Sequence, residues 1–261
     1  PGMLSRVEPR DRALFQEICY GTLRFYPQLE ALGRECLRKP FREEDTDVYA
    51  LLLSALYQLR HLSTAQHAVI NETVEGAKQM GKPWAAKLLN AVLRRYQREK
   101  DSLEADIQQN DSGRWNHPEW MIAKLKHNWP DHWQSVMTEN DQSPPMCLRV
   151  NRTKSDRDTY LKTLQAAEIE ATAGEFSSDA IYLSTPCSVD KLPHFAEGYV
   201  SVQDEAAQLA AELLGVKAGE RILDACAAPG GKLCHLLELE NDIEIDALEL
   251  EPRRVARIEE N

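Results

Sequence analysis

No two cysteines in this chain form a CxxC pair, no apolar run approaches the length of a membrane span, and basic residues are in the minority. Each absence excludes a class of protein. The six cysteines, Cys19, Cys36, Cys147, Cys187, Cys226 and Cys234, stand apart from one another. That spacing argues against a zinc ribbon or a disulfide scaffold, leaves no metal site expected, and suits a reducing cytoplasm. The longest apolar stretches, such as Tyr49 to Leu53, are soon broken by Gln58 and Arg60. They fall far short of the roughly 20 residues a spanning helix needs. The N-terminus opens into Arg, Glu and Asp, so no signal peptide is expected. With 42 acidic residues against 31 Lys and Arg, and a formal net charge of −11, the chain lacks the overall basic excess of a generic nucleic-acid binder.

What is present is an ordinary globular composition, 43% hydrophobic and 28% charged over 261 residues, which argues against disorder and for two or three domains. Charge is unevenly spread. From Lys78 to Lys100 there are seven basic residues, Lys78, Lys82, Lys87, Arg94, Arg95, Arg98 and Lys100, against the single acid Glu99. Such a run is either a solvated helix face or a surface that meets phosphates.

The first 100 residues read as helices. Val48, Leu51, Leu52, Ala55, Leu56, Leu59 and Leu62 recur at helical spacing, as do Leu88, Leu89, Val92, Leu93 and Tyr96. Leu14 to Leu32 forms a further amphipathic segment, and Thr64 is placed to cap the helix through Ala68, Val69 and Val74. Together these predict an all-helical bundle. The polar stretch 101–114 reads as a linker or a fraying helix end. Two short helices are expected next, one opening at Pro118 and one after Pro130. Trp115, Trp120, Trp129 and Trp133 interleave with them, either as packing groups or as platforms for bases.

After Ser143-Pro144-Pro145 the pattern changes to that of a small α+β domain. Strands are expected at Cys147–Val150, Ile169–Ala173, Ile181–Ser184 and Tyr199–Gln203. A helix is expected from Ser155 to Glu168, with Ser155 and Asp158 as a capping box. Arg149, Asn151, Arg152, Lys154 and Arg157 cluster on the first strand and the turn after it, where they are solvated or contact RNA phosphates. From Asp204 the order is helix, strand (Arg221 to Ala225), Gly-rich turn, helix, strand (Ile243 to Leu250) and helix from Pro252. This is a βαβ pattern implying a parallel sheet. Only two of its strands are present where a doubly wound sheet needs about five, so the sequence is expected to be part of a longer protein.

The chemistry-bearing segment is DACAAPGGK, Asp224 to Lys232. In a nucleotide-binding βαβ unit the ligand sits where the first strand ends, against free N–H groups of the next helix. Cys226, Ala227, Ala228, Pro229, Gly230, Gly231 and Lys232 occupy that place. Small side chains admit the ligand close to the backbone, and the two glycines permit dihedrals closed to other residues. An acid about 20 residues on, at the tip of the second strand, would accept hydrogen bonds from ribose hydroxyls. Glu249 has that spacing, with Glu251 a near alternative on the same strand face. A P-loop would require Gly at 226 and Ser or Thr at 233, where this chain has Cys226 and Leu233, and GxGxxG is absent.

DACAAPGGK followed by ALELEPRR resembles the cofactor motifs of the RNA (cytosine-5)-methyltransferases. Upstream, CYGTLRFYPQLE, ALYQLR, AVINETVEGAK and LLNAVLRRYQRE resemble the NusB-like domain fused to bacterial members that act on 16S rRNA. PPMCLRVNRTKSDRD and GYVSVQDEAAQLAAELL resemble their middle segment and the entry to their catalytic domain. The resemblance implies three domains: a NusB-like all-α bundle over 1–105, linker helices and a small α+β RNA-binding domain over 106–203, and the first part of an α/β Rossmann-like methyltransferase domain over 204–261. It also implies a cytoplasmic, monomeric enzyme whose cofactor is S-adenosylmethionine, held by Cys226 to Lys232 and Glu249. Its partner would be 16S rRNA; by their charge and placement Arg149, Asn151, Arg152, Arg94 and Arg95 are the residues expected to touch it, and no membrane or metal is expected.

Two positions depart from the family pattern, Leu233 for Thr and Glu249 for Asp, and both keep the backbone donor or the carboxylate. In the family, a cysteine thiolate adds to carbon 6 of cytosine and a second cysteine assists product release, as such activated nucleophiles require. Both belong to Pro-Cys and Thr-Cys motifs downstream of the cofactor acid, so the resemblance places no catalytic residue within 1–261. Thr185-Pro186-Cys187-Ser188 imitates the first motif but precedes the turn, and Cys226 belongs to the turn itself. Cys19, Cys36, Cys147 and Cys234 read as small core residues, and His194 and His235 as structural. Two alternatives are a non-catalytic RNA- or protein-binding module of NusB type, if the natural protein ends near Asn261, and a methyltransferase acting on a protein or small molecule.

Overall fold

Apolar side chains three and four residues apart build the first of two units. In the computed structural model, which describes residues 4–261, the chain divides into 1–143 and 144–261. The first unit is all helical: α1 (Arg12–Arg24), α2 (Tyr26–Cys36), α3 (Thr46–His61), α4 (Gln66–Gln79), α5 (Pro83–Ile107), α6 (Asp111–Trp115), α7 (Glu119–Asn128) and α8 (Trp133–Asn140). The amphipathic segment from Leu14 to Leu32 forms two helices. Phe25 breaks it, and Pro27 opens α2 in the first turn, where a missing N–H costs nothing.

Leu29 and Leu32 of α2, Val48, Leu52, Ala55, Leu56 and Leu59 of α3, Val69 and Ile70 of α4, and Leu89, Val92, Leu93 and Tyr96 of α5 form one core. Each fully buried Leu or Ile there contributes roughly 1.5–3 kcal/mol. Leu51 and Leu62 pack at its edge, whereas Leu88 points outward.

Three local expectations are corrected. Thr64 does not cap α4, which begins after Ala65 with no side-chain cap. Residues 101–107 are not a linker: α5 bends at Glu99, leaves helical dihedrals there, and continues so that Leu103 and Ile107 reach the core. Asn110 then caps α6 by accepting the Gly113 N–H at 2.6 Å. Cys19 is exposed on α1 and not a core residue, while Cys36 is buried. The tryptophans divide into two sets. Trp115 and Trp133 meet edge to face with centroids 4.8 Å apart, and Trp120 and Trp129 are exposed.

In the second unit, β1 (Met146–Val150), β2 (Ala171–Ala173), β3 (Ala180–Leu183) and β4 (Val200–Val202) form an antiparallel sheet in the order β2-β3-β1-β4. Leu148 pairs with Ile181 and Val202, and Arg149 with Ala180 and Ser201. Helix α9 (Arg157–Ala166) covers one face through Tyr160 and Leu164, against Leu148, Val150, Ile181, Leu183, Leu192 and Val200. Its cap is Asp156, which accepts the Thr159 N–H at 2.9 Å, and not the Ser155–Asp158 box.

Helix α10 (Glu205–Leu214) begins at Asp204, which accepts the Ala206 N–H at 2.9 Å, and ends at Gly215 in the left-handed region. There follow β5 (Arg221–Asp224), α11 (Gly231–Leu239), β6 (Glu244–Ala247) and α12 (Pro252–Glu260). Strands β5 and β6 pair in parallel, Arg221 opposite Glu244 through Asp224 opposite Ala247, which completes the βαβ unit.

Candidate cofactor-binding site

The turn between β5 and α11 is held from below by the chain itself. The Asp224 carboxylate accepts the Cys226 N–H at 3.1 Å. The Ala227 N–H bonds the Leu248 carbonyl at 3.0 Å, and the Gly230 N–H folds back to the Ala227 carbonyl at 2.6 Å. Ala227 and Ala228 are buried, Cys226 and Lys232 are exposed, and the Ala228–Pro229 bond is cis.

Gly230 has φ +105°, a region that L side chains rarely adopt. Gly231 does not share this: it lies in the first turn of α11 outside the positive-φ region, and a Cβ on it would meet Gln203 at an ordinary 3.7 Å. Only one of the two glycines therefore supplies special dihedrals. No side chain caps α11, so its leading N–H groups, those of Gly231, Lys232 and Leu233, remain available to an acceptor.

Glu249 stands beside this turn, although beyond the strand and not on it, because β6 ends at Ala247. Its carboxylate accepts the Glu251 N–H at 2.9 Å and lies 3.4 Å from Arg254 Nη1. The Glu251 N–H chiefly holds it below the usual carboxylate range, against a smaller opposing effect of desolvation, with the Arg254 guanidinium and the Ala228 N–H adding to the lowering. It is an anion at neutral pH, able to accept hydroxyl protons. Glu251 is exposed at the start of α12, so the two acids share no strand face. Sequence reasoning missed Arg254, which ties the Ala228 carbonyl at 2.8 Å and faces Glu249, although it lies within the ALELEPRR segment.

Arg149 is neither solvated nor open to phosphates: it is fully buried. Its Nε and Nη2 bond both oxygens of Glu238 on α11, at 3.2 and 2.6 Å. Its Nη1 donates to Gln203 Oε1 and, at 2.6 Å, to the Gly231 carbonyl. Among the other residues suggested for RNA contact, Asn151 is engaged locally, donating to the Gly198 carbonyl and accepting the Thr153 N–H. Arg152 pairs with Asp179 and Glu212. Arg157 donates to the carbonyls of Gly174 and Ser177, and Lys154 is exposed.

On α5, Arg95 bonds Glu99 and the carbonyls of Glu35 and Cys36, whereas exposed Arg94 reaches only Gln97. Lys78 and Lys82 are matched by Glu75, Asp45 and Asp47. The basic run is thus partly neutralised by acids from outside it.

Burial pushes the Cys36 thiol up to about 12 and the Cys147 thiol up to about 11, and raises Cys234 as well. Burial thus favours the neutral thiol in all three. Cys187 packs against the core of the antiparallel sheet. His235 is buried 3.7 Å from Asp179, and His194 bonds Glu197. Among the described residues, no group of three or more His, Cys, Asp or Glu could hold a metal, and no helix is long and apolar enough to cross a membrane.

A parallel βαβ unit with an uncapped helix after a tight turn, and an acid after the next strand, is the arrangement that opens an α/β domain of the methyltransferase type. Family models agree in order along the chain: the NusB family matches 3–98, the ferredoxin-like domain of RsmF/B-like methyltransferases 117–190, and 16S rRNA methyltransferase RsmB/F 211–261. The chain is 49% identical to ribosomal RNA small subunit methyltransferase B of Pseudomonas syringae pv. tomato, over 100% of this chain and 58% of that protein. It is 44% identical to the protein of the same name from Vibrio cholerae, over 100% and 60%.

The chain carries a NusB segment, a ferredoxin-like segment of the RsmF/B type and the start of an RsmB/F methyltransferase segment, and spans about three fifths of the length of these curated relatives. The fold is shared with the crystal structure of PH0851, at TM-score 0.73 and 21% identity over 97% of this chain and 58% of that one. It is also shared with a methyltransferase homolog protein from Pyrococcus horikoshii, at TM-score 0.51 and 23% identity over 60% and 50%.

Proposed function

We propose that this chain supplies the RNA-docking and cofactor-holding parts of an S-adenosylmethionine-dependent enzyme that methylates carbon 5 of a cytosine in small-subunit rRNA. The observation that carries the reading is the uncapped start of α11 beside the anionic Glu249. The residues present fit such a cofactor. Glu249 keeps lone pairs for the two ribose hydroxyls beyond those used by the Glu251 N–H. Ala227 and Ala228 leave the backbone approachable, and the Gly231 to Leu233 amides offer donors to a carboxylate. When bound, the cofactor supplies an electrophilic methyl group.

Cys226 lies exposed in this turn with its N–H on the Asp224 carboxylate, and its proposed part is to line the turn. The cysteine that attacks cytosine is proposed to lie beyond Asn261. Arg94, exposed and bonded to the neutral Gln97, and Lys154, exposed after β1, are proposed to meet rRNA phosphates, with Arg95, Asn151 and Arg152 shaping the surfaces around them. The test is methyl transfer by the full-length protein to unmodified small-subunit rRNA, followed by nucleoside analysis. Label in 5-methylcytosine is expected. Label in another nucleoside, or in no RNA at all, overturns the reading.

A further inference from the structure

A fully buried arginine must meet a large desolvation cost, and the groups chosen to offset it show what it holds. Arg149 engages four of its five N–H donors. Two grip Glu238 on the third turn of α11, and two converge through Nη1 on Gln203 and on the carbonyl of Gly231, the residue that opens the helix. Glu238 alone would satisfy the charge. The additional bond to Gly231 lies one residue from the positive-φ Gly230 and reaches the turn whose amides would face the cofactor.

Because Arg149 projects from β1, the central position of its sheet with β3 and β4 on either side, its base cannot drift. Gln203 is fixed in turn, since its N–H bonds the Cys147 carbonyl at 3.0 Å and its carbonyl accepts from Gln208 at 3.1 Å.

We infer that Arg149 is a positioning residue for the cofactor turn: a side chain of the antiparallel sheet that fixes the start of α11 by its carbonyl and its body by Glu238. The turn amides then stand in place before the cofactor arrives. The ferredoxin-like segment thereby takes part in cofactor binding, a role separate from any contact with RNA. This rests on the cofactor reading above.

Lysine keeps the charge for Glu238 but has no planar fork to serve the carboxylate, Gln203 and Gly231 together. In the full-length protein, S-adenosylhomocysteine is titrated calorimetrically into wild type, Arg149→Lys and the core variant Leu164→Ala, well below their unfolding temperatures. Amide exchange is followed across 227–234 in the ligand-free proteins. Arg149→Lys should bind at least about tenfold more weakly and exchange faster at the turn. Leu164→Ala should stay within about twofold of wild type despite its own lower unfolding temperature.

An affinity for Arg149→Lys within about twofold of wild type, or unchanged exchange at the turn, overturns the proposal. So does an equal loss in Leu164→Ala, which would mark a merely structural effect. If wild type takes up no S-adenosylhomocysteine, the cofactor reading fails, and the exchange data alone decide whether Arg149 holds the turn.

Discussion

The cores of the two units are built on different terms. Between α2, α3, α4 and α5 the buried positions are almost entirely apolar, with Gln28 and Thr73 the exceptions on those helices. In the second unit Arg149, Ser177, Asp179, Glu205, Gln208 and His235 are all buried. An apolar core tolerates exchange of like for like, because its attraction is non-directional. A polar core does not: each donor needs its acceptor at a fixed angle, and a missing partner leaves a desolvated group behind. The second unit carries the turn proposed to hold the cofactor, and one of these buried polar groups, Arg149, bonds the Gly231 carbonyl at its edge.

The largest expected effect that would sharpen this contrast is Arg149→Leu. It leaves Glu238 with no buried cation, and should cost about 3–5 kcal/mol in the second unit, read by denaturant unfolding with tyrosine fluorescence or an attached dye in that unit, which has no tryptophan. Restoring neutrality with Glu238→Gln in the same chain should recover part of the loss. In the first unit, Leu56→Ala should cost about 2–5 kcal/mol, and Leu56→Met under about 1.5 kcal/mol. If Arg149→Leu proved as mild as Leu56→Met, the distinction between the units would collapse.

A smaller effect concerns pH. Burial raises the Glu205 pKa, but the Ser177 and Phe176 amides and the Tyr182 hydroxyl outweigh it and hold the carboxyl below its ordinary 4.5. Its folded pKa is thus the lower one. The stabilisation is present above the unfolded value and lost as pH falls through the folded value. The second unit should lose stability below about pH 4.5, and Glu205→Gln, already weaker at neutral pH by about 1–3 kcal/mol, should show a shallower acid loss in the same titration.

Smallest of all, Lys154→Ala and Arg94→Ala should leave unfolding within about 0.5 kcal/mol of wild type. Any effect they have should appear as a reduced salt dependence of rRNA binding.

What sequence alone discloses follows the same division. The helical core was legible because Val48, Leu52, Leu56 and Leu59 repeat at the period of the helix that buries them. The turn from Cys226 to Lys232 was legible as a turn between strand and helix because its small residues and its neighbours are all local. Arg149 was not. In MCLRV an arginine reads as a solvent-facing residue, and its partner Glu238 is remote in sequence, with no pattern linking them. The caps show the same limit on a smaller scale. Ser155 and Asp156 are adjacent residues of nearly equal capping ability, and only the backbone direction decides for Asp156. Leu103 and Ile107 were hidden by the polar residues around them in a stretch that looks like a linker.

The central claim is that the turn from Cys226 to Lys232, together with Glu249, binds S-adenosylmethionine. Titrating that cofactor into the full-length protein, its Glu249→Ala variant and its Gly230→Val variant tests it most directly. Saturable binding to wild type is predicted, with a loss of at least about tenfold in each variant. Binding that is absent from wild type, or that survives both substitutions unchanged, would contradict the account.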